Sequence, residues 1–427
     1  SHHDIEALPN GNILVLAWEL KTAEEAINLG RNPKALIDNQ LWPEHIVEIE
    51  PIGTNGANIV WEWHLWDHMI QDIDSNLPNY GIISEHPELI NINYIGANSN
   101  APSSADWIHA NSVDYNKELD QIIISSRKFC EFWIIDHSTT SEEASTGQGG
   151  NSGMGGDILY RWGNPAAYNQ GTTADRKLFF QHDVQWIKSE FLDGNKIMAF
   201  SNGTAQTQSS TIQVINPPLN NNNTYESDNG IYGPNSTDWF YSDSLVFYSS
   251  RISGASRLAN GNTLICSGNQ GRLFEVDYDG NTVWDYYVPS LNPGGNTVFS
   301  DVFKINRYSP SFSGLMNLDL NSQNTIEDSS IYDCEIYGCN DISACNYNEN
   351  SESICVFPGD ECELDNENYA IYSESCECIY NHSLMTEFTH NKYLLKTIDI
   401  LGREATNKGF QIQIYDDGSV EKIYKIE

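Results

Sequence analysis

The chain has 427 residues and carries 59 acidic residues against 22 basic ones. This excess of negative charge argues against nucleic-acid binding, because nothing would offset repulsion from the phosphates. No apolar run approaches the roughly 20 residues that a membrane-spanning helix needs, so we expect no transmembrane segment. The length predicts a large core with at least one appended segment. Because the sequence begins Ser-His-His, without Met or a signal peptide, we expect a processed or incomplete N-terminus.

A repeating unit occurs four times up to about residue 310. Each copy combines an Asn-Gly or Asp-Gly turn with three or four short alternating strands, and the copy at residues 258–286 is the clearest. Such turns are typical of two-residue hairpins. Small sheets of this kind bury their faces and protect their edges when they are arranged radially. The predicted fold class is therefore all-β, a β-propeller, with long insertions between the blades and further N-terminal blades missing. A β-sandwich is the alternative, but it explains the recurring unit less readily. Helix signals are few, and residues 22–29 give the best one.

Three histidines and one arginine lie at corresponding places in these units. His109 and Asn111 lie just before and within an apolar strand, and Arg127 follows the next strand. His3 and His182 open or precede strands in the same way. Each histidine alone is more readily a structural residue, and Arg127 alone could be an exposed edge residue. Together they favour a site for a tetrahedral oxyanion, because a buried guanidinium needs a fork-shaped anion such as sulfate or phosphate.

A second histidine pair, His64 and His68, has a spacing that metal sites also use. It lies in the segment Trp61 to His68, which contains three tryptophans. The preferred interpretation is an aromatic-rich loop near the channel mouth that can contact an aromatic substrate, and we expect neither a metal nor a cofactor. The chain has no nucleophile-elbow serine, P-loop or H-E-x-x-H motif.

Residues 1–310 resemble the bacterial arylsulfate sulfotransferase family. The resemblance is carried by the segments His-His-Asp at 2–4, Leu-Pro-Asn-Gly-Asn at 8–12, Asp-Trp-Ile-His-Ala-Asn-Ser-Val at 106–113, Ser-Ser-Arg at 125–127, Gln-His at 181–182, and 253–258 through 275–276. It implies a six-bladed propeller that moves a sulfuryl group from a phenolic sulfate ester to a phenol acceptor, without a nucleotide sulfate donor.

The resemblance also implies roles for individual residues. His182 matches the nucleophile that becomes sulfated, and His109, Asn111 and Arg127 match the sulfuryl-binding and acid/base set. His3 matches the remaining channel histidine, although His2 stays open as the alternative. We assign His109 as the general acid. Two other functions stay open, a non-catalytic secreted propeller that binds ligands and an aryl sulfate hydrolase with water as the acceptor.

The nine cysteines form two groups. Cys130 and Cys266 are isolated in strand-like segments and are predicted to be buried and unreactive. The other seven lie between residues 334 and 378, in a segment that belongs to a longer stretch, 308–391, without Lys or Arg. Their spacing lacks the paired C-x-x-C of zinc sites, which favours disulfides in an extracellular setting.

These patterns predict four parts of the chain: the propeller at 1–310, a linker at 311–333, an acidic Cys-rich spacer at 334–380, and a small C-terminal β-sandwich at 381–427. Residues 338–348 resemble a spacer repeat of secreted Bacteroidetes proteins. Residues 394–404 and 415–422 resemble the type IX secretion sorting domain of those proteins. The resemblance implies the type IX machinery as a partner and a secreted or cell-surface location. The spacer carboxylates could bind calcium, but a solvated stalk is the preferred interpretation.

Overall fold

The protein is nearly all β. The computed structural model describes residues 1–96, 104–243, 247–288, 301–316 and 318–320, together with the backbone of six short strands between 361 and 425. It divides into two compact units, Ser1–Phe312 and Ser313–Glu427. The only α-helices among the described residues have six and four residues, and none is long and apolar enough to cross a membrane. The all-β class is therefore confirmed, whereas the four-part domain division stays a prediction.

Four antiparallel sheets of four strands each build the first unit, and in each sheet the strands follow chain order. Sheet 1 contains Ile5–Ala7, Ile13–Trp18, Glu44–Ile52 and Gly56–His64. Sheet 2 contains Ala110–Asn116, Gln121–Ser126, Glu131–Asp136 and Tyr160–Trp162. Sheet 3 contains His182–Trp186, Ile197–Ser201, Thr211–Ile215 and Trp239–Tyr241. Sheet 4 contains Gly254–Arg257, Thr263–Ser267, Arg272–Val276 and Thr282–Tyr287.

Smaller elements connect these sheets. Three two-stranded pairs are formed by Lys21–Thr22 with Gln40–Leu41, Met69–Ile70 with Ile90–Asn91, and Ser227–Asp228 with Ile231–Tyr232. The helices are Ala23–Asn28 and Ser141–Ala144, each begun by a capping box. Short 3-10 turns occur at Pro33–Ala35, Leu65–His68, Ile83–Glu85, Pro165–Tyr168, Thr173–Asp175, Gly268–Gln270 and Ser313–Leu315.

The recurring Asn-Gly-Asn turn has a structural reason in the first hairpin of sheets 1 and 4. The intervening glycine of the first turn has a φ of +92°, which suits a residue without Cβ. Asn10 and Asn12 donate to Glu48 on the third strand at 3.2 and 2.5 Å. The turn 260–262 repeats this arrangement with Glu275 at 3.2 and 2.6 Å. Each turn is therefore tied to its own sheet.

Three hydrophobic clusters fill the spaces between consecutive sheets. Trp63 of sheet 1 and Trp133 of sheet 2 belong to the first cluster. Residues of sheets 2 and 3 form the second cluster, and residues of sheets 3 and 4 form the third. Both middle strands of sheet 2 are buried along their whole length, since each face of this sheet is covered by a neighbour. Burial of apolar area between the sheets is thus the main stabilising contribution.

Carboxylates join the first strands of neighbouring sheets. Each accepts a hydrogen bond from a backbone amide of the next first strand: Asp4 from Val113 at 3.2 Å, Asp114 from Trp186 at 2.7 Å, and Asp183 from Ala255 at 2.9 Å. The Lys304 ammonium lies 2.7 Å from Asp183 and 3.8 Å from Asp4. The beginnings of the first strands therefore lie close together, and this is where the predicted site residues are.

The second unit is described by two three-stranded sheets. One contains Glu361–Cys362, Ala370–Tyr372 and Cys378–Tyr380, and the other contains Leu394–Ile398, Gly409–Tyr415 and Val420–Lys425. The predicted disulfides, spacer and terminal sandwich fall largely on residues outside those described, so they stay predictions. In the first unit Cys130 and Cys266 are buried and free, as predicted.

Candidate active site

The surroundings of His182 fix which ring nitrogen carries the hydrogen. Its Nδ1 lies 2.7 Å from Oδ1 of Asn202 and 3.1 Å from the carbonyl oxygen of Phe180. The Asn202 amide is itself oriented, because its Nδ2 donates to the carbonyls of Ser249 and Ile252 at 2.8 and 2.9 Å. Both partners of Nδ1 are therefore acceptors, so Nδ1 carries the hydrogen and Nε2 keeps its lone pair.

His182 is also held in its neutral form. The side chain is buried, with the residue only 4% exposed. Burial, together with the positive charge of Arg127 and the neighbouring His109 and His3, lowers the pKa of His182 to about 3, against the opposing effect of the Asn202 hydrogen bond. Burial disfavours a charged imidazole. A neutral imidazole with a free Nε2 is the form that can act as a nucleophile.

The backbone at the start of the first strands is strained in all four sheets. His3 and His109 both have a φ of +57°, while Phe180 and Asp183 on either side of His182 have φ values of +54° and +50°. The pair 252–253 before the first strand of sheet 4 is also left-handed. Such conformations cost about 1–2 kcal/mol per residue outside glycine and cluster at functional sites. Two of these left-handed residues, His3 and His109, have their rings in contact.

His109 forms a dyad with Asp106. Its Nδ1 lies 2.5 Å from Oδ2 of the carboxylate. Burial opposes the charged form of Asp106, but the hydrogen bond from His109 and the charges of His109 and Lys128 hold the pKa of this carboxyl below its usual value. The carboxylate fixes the His109 tautomer and stabilises an imidazolium. His109 can therefore hold a proton on Nε2 and release it to a neighbouring group.

His3, rather than His2, lies against this dyad. The rings of His3 and His109 meet edge to face, with centroids 4.5 Å apart. His2 instead stacks on Trp18 at 3.9 Å and pairs with the buried Glu44 at 3.0 Å. Burial, followed by the effects of His109 and His2, lowers the pKa of His3 to about 4. His3 is thus a neutral imidazole beside His109, while His2 contacts Trp18 and Glu44 instead.

Arg127 supplies a positive charge that no described carboxylate pairs with. Its guanidinium lies over the Phe180 ring, 5.0 Å from the centroid, and its backbone amide donates to the carbonyl of His109 at 3.2 Å. Burial lowers the pKa of Arg127 from its usual value, yet an arginine stays charged in proteins. A half-buried guanidinium without an acidic partner within 4.0 Å in the described part of the chain is suited to bind an anion.

Asn111 is the second residue of the first strand of sheet 2, and its side chain reaches the segment just before His182. Its Nδ2 donates to the carbonyl of Gln181 at 2.8 Å. Its Oδ1 is buried and has no hydrogen-bond partner among the described residues. A buried, unpartnered acceptor is uncommon and costs about 1–3 kcal/mol, so this oxygen is available to a donor group on a ligand.

The comparison with protein families shows to which family the chain belongs. The model of the arylsulfotransferase (ASST) family matches residues 1–283. The chain belongs to this family. The match includes all four sheets apart from the last residues of sheet 4, and it contains His3, His109, Arg127 and His182.

Solved structures give only distant similarity. A protein of unknown function from Bacteroides caccae is 11% identical over 58% of this chain, with a TM-score of 0.28, and the match spans 55% of its length. Virginiamycin B lyase from Staphylococcus aureus is 10% identical, with 73% of this chain and 68% of that chain covered and a TM-score of 0.22. The WD40 domain of Toxoplasma gondii coronin is 9% identical, with 43% and 36% covered and a TM-score of 0.24. No curated protein matches the chain.

Two partly exposed aromatic side chains, Trp18 and Phe303, lie near His3. Trp18 and Phe303 are 37% and 36% exposed. Phe303 lies 6.3 Å from the His3 ring, and Trp18 lies 5.4 Å from Trp42. Exposed aromatic rings beside polar catalytic-type groups are typical of sites that bind aromatic ligands.

Two residues of the site escaped the sequence analysis. Asp106 stood in a recognised motif but received no role, and Asn202 follows a strand with no motif to mark it. His64 and His68, predicted to share one aromatic loop, have different surroundings. His68 is buried, bonded to Asp157 at 2.7 Å and to the carbonyl of Ala144 at 2.9 Å. Both ring nitrogens of His68 are therefore engaged within the protein.

Proposed function

We propose that the protein transfers a sulfuryl group from a phenolic sulfate ester to a phenol through a sulfohistidine at His182. The observation that carries this proposal is the free Nε2 of a neutral, buried imidazole, set among Arg127, His109 and His3. These three residues all act electrostatically on His182. A nucleophile, a cation and an acid/base pair are the groups that such a double displacement needs.

In the first step, Nε2 of His182 attacks the sulfur of the aryl sulfate. The N–S bond forms while the S–O bond to the aryl group breaks, and the phenoxide leaves with the electron pair. The sulfated ring then carries positive charge, and its Nδ1–H still donates to Asn202 and Phe180. Arg127 stabilises the charge on the sulfuryl oxygens. His109, in its protonated form, gives its Nε2 proton to the phenoxide.

In the second step, the acceptor phenol gives its proton to His109 and its oxygen attacks the sulfur. The N–S bond breaks and its electron pair returns to Nε2 of His182, which restores the free enzyme. His3 binds and orients the sulfuryl oxygens beside Arg127, and Asn111, which donates to the carbonyl of Gln181, supports this sulfuryl-binding group next to His182. Atoms and charge balance without any further reactant, so the proposal needs no cofactor.

The charge of the site supports an aryl sulfate over a nucleotide sulfate as the donor. A nucleotide donor brings additional phosphates that require further cations. The neighbouring Lys128 is already engaged, because its ammonium donates to Ser104 at 2.7 Å and to the carbonyl of Asp106. Arg127 thus matches a single sulfuryl group, and Trp18 and Phe303 provide apolar surface for the aryl part.

We also propose that the four sheets are blades of a β-propeller, which belongs to a six-bladed family. The contacts between first strands and the clusters between consecutive sheets support a radial arrangement. The C-terminal sequence supports export through the type IX secretion machinery to the cell surface or medium. Detection of the protein in the medium of cells with that machinery, and its retention when residues 381–427 are deleted, would test this.

Activity is tested with 4-nitrophenyl sulfate, with and without phenol. The proposal predicts that phenol accelerates nitrophenol release and becomes phenyl sulfate, and that His182→Ala abolishes both. His137→Gln is a matched control, since His137 is also largely buried but pairs with Glu48 and Asp120. Release of inorganic sulfate with no phenyl sulfate would instead identify a hydrolase. Binding of aryl sulfates without any turnover would identify a ligand-binding protein.

A further inference from the structure

We propose that His45, Glu62 and His64 form a binding site for a zinc ion at one end of sheet 1. None of these residues contacts the candidate active site. The sequence analysis expected no metal in this protein and considered His64 only with His68. The structure instead places His64 beside His45, which lies on a different strand of the same sheet.

The strand register explains why the three side chains meet. His45 and His64 are direct partners on the third and fourth strands, so their side chains lie side by side on one face. Glu62 precedes His64 by two residues and therefore points to the same face. The histidine and carboxylate ligand atoms all lie within 4.8 Å of one another.

The distances already approach those of a zinc site. Oε2 of Glu62 lies 3.1 Å from Nε2 of His45 and 3.4 Å from Nε2 of His64. Tetrahedral zinc with bonds of about 2.0–2.1 Å keeps its ligand atoms roughly 3.3–3.4 Å apart. Two imidazoles and one carboxylate are a ligand set that zinc prefers, and they leave a fourth position for water.

Glu19 supplies a second observation that points to a cation. Nδ1 of His64 lies 2.9 Å from Oε1 of Glu19, so the hydrogen on Nδ1 is donated to this carboxylate. Nε2 of His64 is then the nitrogen left for a metal, and it faces Oε2 of Glu62 at 3.4 Å. Metal-binding histidines commonly donate their other N–H to a carboxylate in this way. The competing arrangement is a proton on Nε2 of His64.

Zinc binding requires the two rings to turn. They are stacked with centroids 4.1 Å apart and planes 17° apart, whereas a bound metal lies in the plane of each imidazole. Rotation about the Cβ–Cγ bonds is open to them because the side chains of His45 and His64 are 17% and 27% exposed. The ion would join the third and fourth strands to Glu19, which follows the second strand.

Zinc titration of the chelator-treated full chain, followed by calorimetry, tests the site. His45→Gln and Glu62→Gln are each expected to bind one equivalent of zinc less than the unaltered chain. Glu19→Gln is expected to keep the equivalent with about 10–100-fold weaker affinity. His86→Gln is the matched control, since His86 is an exposed histidine paired with Glu88 alone, and it should behave as the unaltered chain.

The difference in bound zinc equivalents between each variant and the unaltered chain isolates this site, because any zinc bound by other histidines or cysteines is counted equally in all of them. Glu62→Gln guards against a folding defect, since the Glu62 side chain contacts only the two histidines, and its metal-free melting temperature should be unchanged. Equal zinc stoichiometry and affinity in all variants would overturn the proposal. An NMR titration that shows His64 protonated, with no zinc-dependent change in its signals, would do the same.

Discussion

Asn202 offers the sharpest test of how the structure prepares His182. Replacement by Ala removes the Oδ1 acceptor 2.7 Å from Nδ1 and leaves only the carbonyl of Phe180 at 3.1 Å. In the free enzyme this hydrogen bond joins two neutral groups. After sulfation the ring is positively charged, so the same hydrogen bond becomes charge-assisted. Its loss should therefore weaken the sulfated state more than the free enzyme.

The size of the effect follows from the two kinds of hydrogen bond. A neutral bond contributes about 0.5–1.5 kcal/mol and a bond from a charged group about 1.5–3 kcal/mol. The difference of about 1–1.5 kcal/mol corresponds to a roughly tenfold slower sulfation of His182. Asn202→Ala also leaves the carbonyls of Ser249 and Ile252 without this donor, so the free energy of unfolding should fall by about 1–3 kcal/mol.

Rapid-quench measurement of the first nitrophenol released from 4-nitrophenyl sulfate gives the sulfation rate directly. Ser210→Ala is the matched control. Its hydroxyl donates to the carbonyl of Asn202 at 2.9 Å and accepts from the amide of Ser249 at 2.9 Å, but it does not touch His182. The control should lose stability and keep its sulfation rate. An unaltered rate in Asn202→Ala, or an equal loss in both variants, would refute the reasoning.

Three further predictions concern charge. The pKa of His182 at about 3 means that, as pH falls from about 6.5, the unfolded chain takes up a proton that the folded chain does not. Stability should therefore fall toward acid pH, and urea titrations should show this fall to be about 1.4 kcal/mol per pH unit less steep in His182→Gln. Without an acceptor, Asp106→Asn should slow the first release of phenol from phenyl sulfate about 10²-fold through its effect on His109, but slow the first release of nitrophenol far less, since nitrophenoxide needs no proton to leave; equal losses in rapid-quench assays would contradict this role. Lys304→Met removes the cation 2.7 Å from Asp183 and should lower the free energy of unfolding by about 3–5 kcal/mol, as a denaturant curve at neutral pH can check.

Much of the fold could be predicted from the sequence because its signals are local. Asn-Gly turns and alternating strands define hairpins within a few residues, and they mark the four sheets. The role of the second asparagine could not be predicted, because Asn12 donates to Glu48 on another strand of the sheet. The predicted helix at 22–29 is present as Ala23–Asn28, with Thr22 and Glu25 as its capping box.

The candidate site was predictable only in part. The corresponding strand positions of His3, His109 and His182 predicted that these residues share one site. The choice between His2 and His3 depended on a left-handed backbone and on the Trp18 ring, neither of which a motif specifies. Asn202 was missed for a similar reason. Its role arises from an amide held by two backbone carbonyls, and no residue spacing records such an orientation.

The central claim is that His182 carries the sulfuryl group between donor and acceptor. Mass spectrometry of the enzyme after brief exposure to 4-nitrophenyl sulfate without acceptor, quenched under alkaline conditions, tests it most directly. We predict one added SO₃ on the peptide that contains His182, absent in His182→Ala and lost when phenol is added before the quench. An unmodified His182 peptide during active turnover, or SO₃ on a different residue, would contradict the account.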